Sequence, residues 1–234
     1  MHFHLPKPLH GWREFLGEIA IIVIGVLIAL GAEQTIEAWH WRQVVAEESE
    51  ALDSEVGDMW SAMSSRVAQQ ACIDRRLADL RVVFARHDAH QPLGLVAPIG
   101  RPRVITAGRT AFQIATADGA LSHMPLERKQ TYFNVYGSYD TFQPSANEER
   151  ASWRQLQALN HAATLSERDW SDLRRAYDAA ADSNVTMRAN LAMERVGQWL
   201  TPFAAFPRRP IERRMLQLAS VTDLCSPALA TEAR

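Results

Sequence analysis

The chain has 234 residues, of which 47% are hydrophobic, and its formal net charge is -2. This length allows one or two domains with a substantial core. The small net charge argues against a nucleic-acid partner, because dedicated nucleic-acid-binding proteins carry a strongly basic surface. The two cysteines, Cys72 and Cys225, allow one disulfide but no zinc site built from cysteines.

An apolar segment near the N-terminus is the most distinctive feature of the sequence. Residues 19–32 form an uninterrupted apolar run, which as a helix would be about 21 Å long, short of the ~30 Å hydrocarbon core of a bilayer. Phe15 and Leu16 lengthen the stretch to about 18 residues, with Glu18 as its only charge. On length alone the segment fits a membrane span, the apolar part of a signal peptide or a buried core helix.

Tryptophans on both sides of this segment favour a retained membrane span. Trp12 precedes it, and Trp39 and Trp41 follow it, which is the pattern of aromatic residues at the two membrane interfaces. The small residues around Gly31 would also permit signal-peptide cleavage. However, good helix formers without a proline follow Gly31, so the helix is expected to continue beyond it.

The charges around the apolar segment favour a cytoplasmic N-terminus. Lys7 and Arg13 precede the segment, whereas Arg42 is the first cation after it. The rest of the chain would then be an extracytoplasmic domain of a bacterial inner-membrane protein, in the periplasm. In that oxidising compartment Cys72 and Cys225 could form a disulfide, with two unrelated reduced cysteines as the alternative.

Three residues of the segment predict contacts in or beside the membrane. Glu18 is costly to bury unpaired, so it either reaches the headgroups at the cytoplasmic border or pairs with a partner inside a complex. Gly25 and Ala29 are four residues apart, and small residues at this spacing let another helix approach closely. The expected partners are therefore membrane lipid, a second copy of the chain or other inner-membrane proteins.

The segment GWREFLGEIAIIVIGVLIALGAEQTIEAWHWR resembles the N-terminal anchor of a family of bacterial membrane proteins whose function is uncharacterised. That family shares the apolar opening and a helical region after it. The resemblance is strong over residues 11–50 and weaker over residues 110–124. It implies a single N-terminal anchor and an α-helical remainder, and it brings with it no activity, substrate or catalytic residue.

Apolar residues recur at alternating spacings of four and three after the apolar segment. This spacing predicts a long helix that is continuous, or nearly so, with the membrane span and that packs by one face. Arg66 and Gln70 occupy two positions of the same stripe, so polar residues interrupt it in the middle. We interpret the stripe as core within one chain, with a dimer seam as the alternative. Its apolar members are Leu52, Val56, Met59, Met63, Ile73, Leu77, Leu80 and Phe84.

Several shorter elements are expected after this helix. Residues 91–105 are rich in proline and glycine, which predicts a loop, and residues 106–117 read as a short helix. Because proline seldom continues a helix, one helix is expected to start only after Pro144. The next is expected to begin at Ser166, where Ser166 and Asp169 have the spacing of a capping box.

The helix between the loop and Pro144 has a tyrosine-rich face. Tyr132, Tyr136 and Tyr139 could line a ligand pocket, since a tyrosine offers an apolar ring and a polar tip. The alternative is that they form a core face against the long helix. His87, Asp88 and His90 could likewise offer metal ligands, but nothing later in the chain completes a ligand set, so an ordinary polar helix end is the preferred interpretation.

The sequence contains no Walker A motif, no G-x-G-x-x-G, no G-x-S-x-G and no His-Glu-x-x-His. We therefore predict no catalytic residue, no metal and no cofactor, and we do not expect an enzyme. The expected function is protein–protein interaction or scaffolding at the inner membrane. The alternative is an extracytoplasmic ligand-sensing domain that signals through a partner, because the chain before the span is too short for an output domain.

The predicted fold is all-α, with an N-terminal transmembrane helix continuing into a long helix of an extracytoplasmic helical bundle. The expected layout is a cytoplasmic tail (1–14), a transmembrane helix (15–38), a long bundle helix (39–90), a Pro/Gly loop (91–105), the remaining bundle helices (106–219) and a C-terminal tail (220–234).

Overall fold

The computed structural model describes residues 11–191 and 223–230. Within these ranges the secondary structure is helical and includes no strand, which confirms the predicted all-α fold. Parts of the predicted cytoplasmic tail, of the last bundle helices and of the C-terminal tail lie outside the described residues. The helices are α1 (Trp12–Ala68), α2 (Gln70–Asp88), α3 (Thr110–Ala117), α4 (Ala120–His123), α5 (Leu126–Leu156) and α6 (Glu167–Asn190), with a 3₁₀ segment (Gln157–Thr164) between the last two.

Helix α1 has 57 residues, which corresponds to a length of about 85 Å. Its N-terminal part is strongly apolar and is not buried by the rest of the described chain, so the helix is long and apolar enough to span a membrane. Every described side chain from residue 11 to residue 40 is exposed. We call residues 12–40 the anchor segment, and only the part of α1 beyond it packs in the bundle.

The apolar stripe that begins in α1 is buried within one chain. Its eight members are each at most 8% exposed, which confirms the interpretation as intramolecular core. The stripe belongs to two hydrophobic clusters, a first core that includes Leu52 to Met63 and a second core that includes Ile73 to Phe84. Arg66 and Gln70 therefore lie where the stripe passes from one core to the other.

Helix α5 runs parallel to α1, as two pairs of contacting residues show: the later residue of α1 contacts the later residue of α5. Asp53 lies beside Tyr132, and Arg66 lies beside Glu149. The short α4 and the start of α5 are consequently placed next to the first residues of α1 that follow the anchor segment. Helix α6 packs along α5 and completes the bundle.

The long helix is interrupted at Gln69, where α1 ends and α2 begins. The buried Gln69 side chain donates to the carbonyl of Arg103 at 2.9 Å and accepts from its backbone N–H at 2.7 Å. It thus supplies hydrogen-bond partners to both backbone polar groups of one loop residue. Backbone groups that are shielded from water need such partners. The sequence pattern predicted no interruption here, since neither proline nor glycine marks the position.

Pro144 lies inside α5, which continues through it, so the predicted start of a new helix after Pro144 is wrong. The proline is exposed, and so is Asp140, the residue whose carbonyl loses its helical hydrogen bond. Buried residues on both sides, Phe142 and Ala146, keep one face of α5 in the core. Their packing offsets a proline cost of roughly 3 kcal/mol.

Helix α6 begins with the predicted capping box. The Ser166 hydroxyl accepts from the Asp169 N–H at 3.3 Å, and the Asp169 carboxylate accepts from the Ser166 N–H at 2.8 Å. This confirms the prediction made from the spacing of the two residues. Hydrogen bonds from Ser166 hold the pKa of Asp169 below its usual range, because they favour the ionised carboxylate.

The described C-terminal residues, 223–230, return to the loop that follows α2. The N–H of Val96 donates to the carbonyl of Ala228 at 2.9 Å, and the N–H of Ala230 donates to that of Gly94 at 3.0 Å. Gly100 has a φ of +66°, and a Cβ there would lie 2.5 Å from the backbone nitrogen of Leu224. Only glycine allows this close approach of two chain segments.

Candidate functional site

The described side chains of the anchor segment are exposed, and only its last residues lie near the bundle, across a cleft. A Cβ added at Gly25 would meet no atom within 4 Å, and Ala29 is exposed beside it on the same helix face. Glu18 is also exposed and has no ion pair or hydrogen bond with any described residue. The residues expected to mediate contact in the membrane are therefore left uncovered by the chain itself.

The three tryptophans around the anchor segment have two different environments. Trp12 is 73% exposed and Trp39 is 61% exposed, and they are 27 positions apart on the helix, about 40 Å. Trp41 is half-buried instead, and its ring stacks on that of His123 with the centroids 3.7 Å apart. Trp12 and Trp39 thus lie on the exposed surface of α1, whereas Trp41 contacts the bundle where the anchor segment ends.

A surface cleft lies at this junction, between α1 and the turn from α4 to α5. Its volume is about 560 Å³. On one side are polar and apolar side chains of α1, and on the other are His123 and Pro125. The lining residues are Gln34, Glu37, Ala38, Trp41, Arg42, Val45, His123 and Pro125.

Tyr132, Tyr136 and Tyr139 are at most 1% exposed and belong to the first core. None of them lines the junction cleft. They are the core face that the sequence left as the alternative, because their rings fill the space between α5 and the bundle part of α1. The burial of these rings in the core therefore argues against a ligand pocket lined by the three tyrosines.

The hydroxyls of the three tyrosines are used within the bundle. Tyr132 donates to the Asp53 carboxylate and Tyr136 donates to the Glu55 carboxylate, while the hydroxyl of Tyr139 accepts from the N–H of Ala107 at 2.6 Å. Burial raises the pKa of all three phenols, and the neighbouring carboxylates raise the pKa of Tyr132 and Tyr136 further. They remain neutral hydrogen-bonding groups at physiological pH.

Glu55 also holds the start of α3. Its carboxylate accepts from the backbone N–H groups of Ala111 and Phe112, each at 3.2 Å. These are donors that the first turn of a helix leaves without a partner, and a carboxylate there interacts favourably with the helix dipole. One side chain of α1 thereby positions both α3 and, through Tyr136, α5.

Arg66 is the centre of a buried polar network that connects four helices. Its guanidinium donates to both oxygens of Glu149 at 2.7 Å and to Asn184 at 2.9 Å. Gln70 accepts from Arg66 and donates to Asn184, and Asp74 accepts from Gln70 and Asn184. The interruption of the apolar stripe at Arg66 and Gln70 was the sequence signal for this network. No sequence pattern indicated the partners of Arg66 on α5 and α6.

Arg76 is fully buried and binds backbone carbonyls of two distant segments. It donates to Pro98 and Ile99 in the loop and to Asp223, Leu224 and Ser226 near the C-terminus. Burial lowers the pKa of this guanidinium. Sequence reasoning missed Arg76, whose only signal is its place on the buried face of α2.

Cys72 and Cys225 form a disulfide in the structure. It joins α2 to the C-terminal residues that Arg76 also binds, 153 positions apart in sequence. The same segments thus carry a covalent link and a set of charge-assisted hydrogen bonds. Together they fix the end of the described chain to the second core.

A second cleft, of about 590 Å³, lies between α5 and α6. Its carboxylates already have partners, since Asp169 is in the capping box and Asp172 pairs with Arg175. The described residues contain no group of three His, Cys, Asp or Glu side chains that could hold a metal ion. His87 stacks on Trp170 with the ring centroids 3.8 Å apart.

Comparison of the chain with protein-family models, with curated proteins and with solved structures gives no match. In the anchor segment and at the junction cleft, small and charged side chains lie exposed beside a continuous apolar surface of α1. They are the candidate functional surface of this long apolar helix and its bundle.

Proposed function

We propose that the protein is a single-pass inner-membrane protein of bacteria that acts by binding other membrane proteins or a second copy of itself. The observation that carries this proposal is the exposure of every described side chain of the anchor segment, with Glu18, Gly25 and Ala29 left free by the bundle. The proposal includes a cytoplasmic N-terminus, a periplasmic bundle and membership of the bacterial family that the anchor resembles.

The spacing of the tryptophans supports a membrane span. Trp12 and Trp39 are about 40 Å apart along α1, and a bilayer with its headgroup regions is about 40–45 Å thick. Both rings could therefore lie at interfaces at the same time, where tryptophan is enriched. The disulfide between Cys72 and Cys225 supports an oxidising compartment for the bundle.

Contact between helices in the membrane is the role that the anchor residues support best. Apolar burial gives no driving force between helices in lipid, so association depends on close packing and on polar groups. Gly25 and Ala29 offer the close approach, and Glu18 offers an acceptor near one border of the span. Scaffolding requires no catalytic group, and the buried polar groups described above serve to hold the bundle together.

The sensing alternative has no comparable support. The tyrosines that would have lined its pocket are packed in the first core, with their hydroxyls bound to α1 and to the loop.

Cysteine crosslinking within native membranes tests the predicted contact face. Gly25→Cys should give an oxidant-dependent crosslinked species, and Leu27→Cys should not. Leu27 is the matched control, because it lies at nearly the same depth but about 200° around the helix from Gly25. Equal crosslinking at the two positions would contradict a specific face.

Co-purification extends this test to partners other than a second copy. Proteins retained by the detergent-solubilised wild-type chain should be lost on Gly25→Leu and kept on Leu27→Ala. Retention of the same proteins by Gly25→Leu would mean that they bind elsewhere and would contradict the proposed role of the anchor.

A further inference from the structure

We propose that the junction cleft binds the headgroup of a phospholipid that carries both a phosphate and a primary ammonium, as an ethanolamine phospholipid does. The inference rests on the proposed membrane span but not on the proposed protein contacts. Four properties of the cleft carry it: its height along α1, its shape, its charges and the direction of its side chains.

The cleft lies at the height of the lipid headgroups. A helix that enters the hydrocarbon at Phe15 crosses its ~30 Å in about 20 residues, which brings it to Gln34. Gln34 is the first residue of the cleft, and Trp41 and Arg42 follow about 10–12 Å further on. The cleft therefore begins where the hydrocarbon ends and extends through the polar region of the outer leaflet.

The bundle closes one side of this part of α1. The chain between α4 and α5 folds back beside the helix, and the His123 ring lies nearly parallel to that of Trp41, with an angle of 14° between the planes. His123 and Pro125 form a roof on the side away from the membrane. The volume of about 560 Å³ falls within the range of small-molecule sites, about 300–1,000 Å³.

The side chains of the cleft are directed towards the membrane. In an α-helix each Cα–Cβ bond tilts towards the helix N-terminus, which for α1 is the end in the membrane. The exposed Arg42 and Glu37 side chains consequently lean towards the headgroups. Ala38 and Val45 give the cleft an apolar surface against which the glycerol part of a lipid can pack.

The charges of the cleft match a zwitterion. Arg42 is the cation and Glu37 the anion of the α1 wall, and neither has an ion pair or hydrogen bond with another described residue. A guanidinium suits a phosphate, and the carboxylate of Glu37 with the amide oxygen of Gln34 can accept hydrogen bonds from an ammonium. A choline headgroup has no N–H to donate, and a glycerol headgroup has no cation for Glu37.

Lipid titration of the full-length protein in detergent, followed by native mass spectrometry, tests the inference. The probes are ethanolamine, choline and glycerol phospholipids with identical acyl chains. The wild type should bind the ethanolamine lipid roughly tenfold more tightly than the choline lipid, as expected for loss of a charge-assisted hydrogen bond. Arg42→Gln should weaken binding of all three lipids by about tenfold, because it removes the phosphate contact.

Two further variants make the test specific. Glu37→Gln should remove the preference for ethanolamine over glycerol lipid while keeping the Arg42 contact with phosphate. Arg81→Gln is the matched control, since Arg81 is an exposed arginine of α2 far along the chain from the cleft, and it should bind lipid as the wild type does. Unchanged circular dichroism of each variant shows that the bundle is intact.

Equal binding of the ethanolamine and choline lipids by the wild type would overturn the inference. Lipid binding by Arg42→Gln that equals that of Arg81→Gln would also overturn it. So would a preference of Glu37→Gln for the ethanolamine over the glycerol lipid that equals the wild-type preference. Alkaline extraction of the same membranes separates this inference from the proposed span. Extraction of the protein would contradict the proposed span itself. Retention of the protein in the membrane, together with no headgroup preference, would contradict only the lipid site.

Discussion

Arg66 and Glu149 form a buried ion pair between α1 and α5, with side chains 1% and 0% exposed. Burying two charges costs several kcal/mol of desolvation per ion, which their attraction offsets only when the geometry is good and the remaining hydrogen bonds are made. Here both carboxylate oxygens and a further amide accept from the guanidinium. At the scale of the residue, this pair specifies which faces of α1 and α5 meet.

Removing one partner of the pair should destabilise the bundle strongly. Arg66→Met leaves the Glu149 carboxylate buried without a countercharge, and we expect a loss of about 3–5 kcal/mol in the free energy of unfolding. The double variant Arg66→Met/Glu149→Leu should recover at least about half of this loss, because no uncompensated buried charge remains at this site. Denaturation of the detergent-solubilised protein, followed by circular dichroism, measures both values.

The exposed pair of Arg175 and Asp172 provides the control. Arg175→Met should change the free energy of unfolding by less than about 1 kcal/mol, because exposed ion pairs contribute little. A similar small effect of Arg66→Met would show that water reaches the pair in solution.

Tyr136 should make stability depend on pH in the alkaline range. Burial and the Glu55 carboxylate raise its pKa above the usual value of about 10. A raised pKa in the folded state means that the folded chain holds the proton more tightly than the unfolded chain does. The associated stability is present below about pH 10 and is lost as the pH rises towards the folded pKa.

Absorbance at 295 nm and circular dichroism, recorded together above pH 10, measure this effect. The phenolate signal of Tyr136, obtained as the difference between wild type and Tyr136→Phe, should appear only as helicity is lost. The free energy of unfolding of Tyr136→Phe should also fall less steeply than that of the wild type as the pH rises above about 10. A Tyr136 phenolate in a fully helical protein would contradict the buried hydrogen bond to Glu55.

At the scale of the elements, the C-terminal residues are secured to α2 by links of two kinds. The disulfide between Cys72 and Cys225 is covalent, and Arg76 binds three carbonyls of the same segment. A crosslink across so many residues restricts the unfolded chain more than it changes the folded one. It also places the end of the described chain against the second core.

Reduction of this disulfide should lower the free energy of unfolding by about 2–5 kcal/mol. Denaturation with and without dithiothreitol measures the change. The double variant Cys72→Ser/Cys225→Ser should match the reduced protein and should not respond to dithiothreitol, because the chain has no other cysteine. An unchanged midpoint on reduction would contradict a stabilising disulfide.

At the scale of the whole molecule, one helix serves both the anchor and the bundle. Because α1 passes from the exposed anchor segment into the first core with no interruption before Gln69, both parts belong to one continuous helix. The junction cleft lies at the transition between the two parts. A contact at the cleft or along the anchor segment would therefore involve the same helix that packs in the bundle.

The proposed orientation predicts the outcome of protease treatment. In spheroplasts, protease added outside should degrade the bundle, whereas a short tag placed before residue 1 should survive, because it lies in the cytoplasm. Inside-out vesicles should give the reverse pattern. A bundle that is protected in spheroplasts and degraded in inside-out vesicles would contradict the periplasmic placement.

The sequence by itself determined the class of the fold and several local features. The apolar spacing predicted the buried stripe, and the pairing of Ser166 with Asp169 predicted the start of α6. The apolar segment predicted a helix able to span a membrane. These features depend on local periodicity, side-chain chemistry and neighbouring residues, which a single sequence displays.

Only the tertiary structure decided the break at Gln69, the continuation of α5 through Pro144 and the burial of the three tyrosines in the core. It also decided the partners of Arg66 and Arg76 and the pairing of the two cysteines. In each case the deciding contact joins residues that are distant in the sequence. The energy of such a contact depends on what surrounds it after folding, and local pattern carries no record of those surroundings.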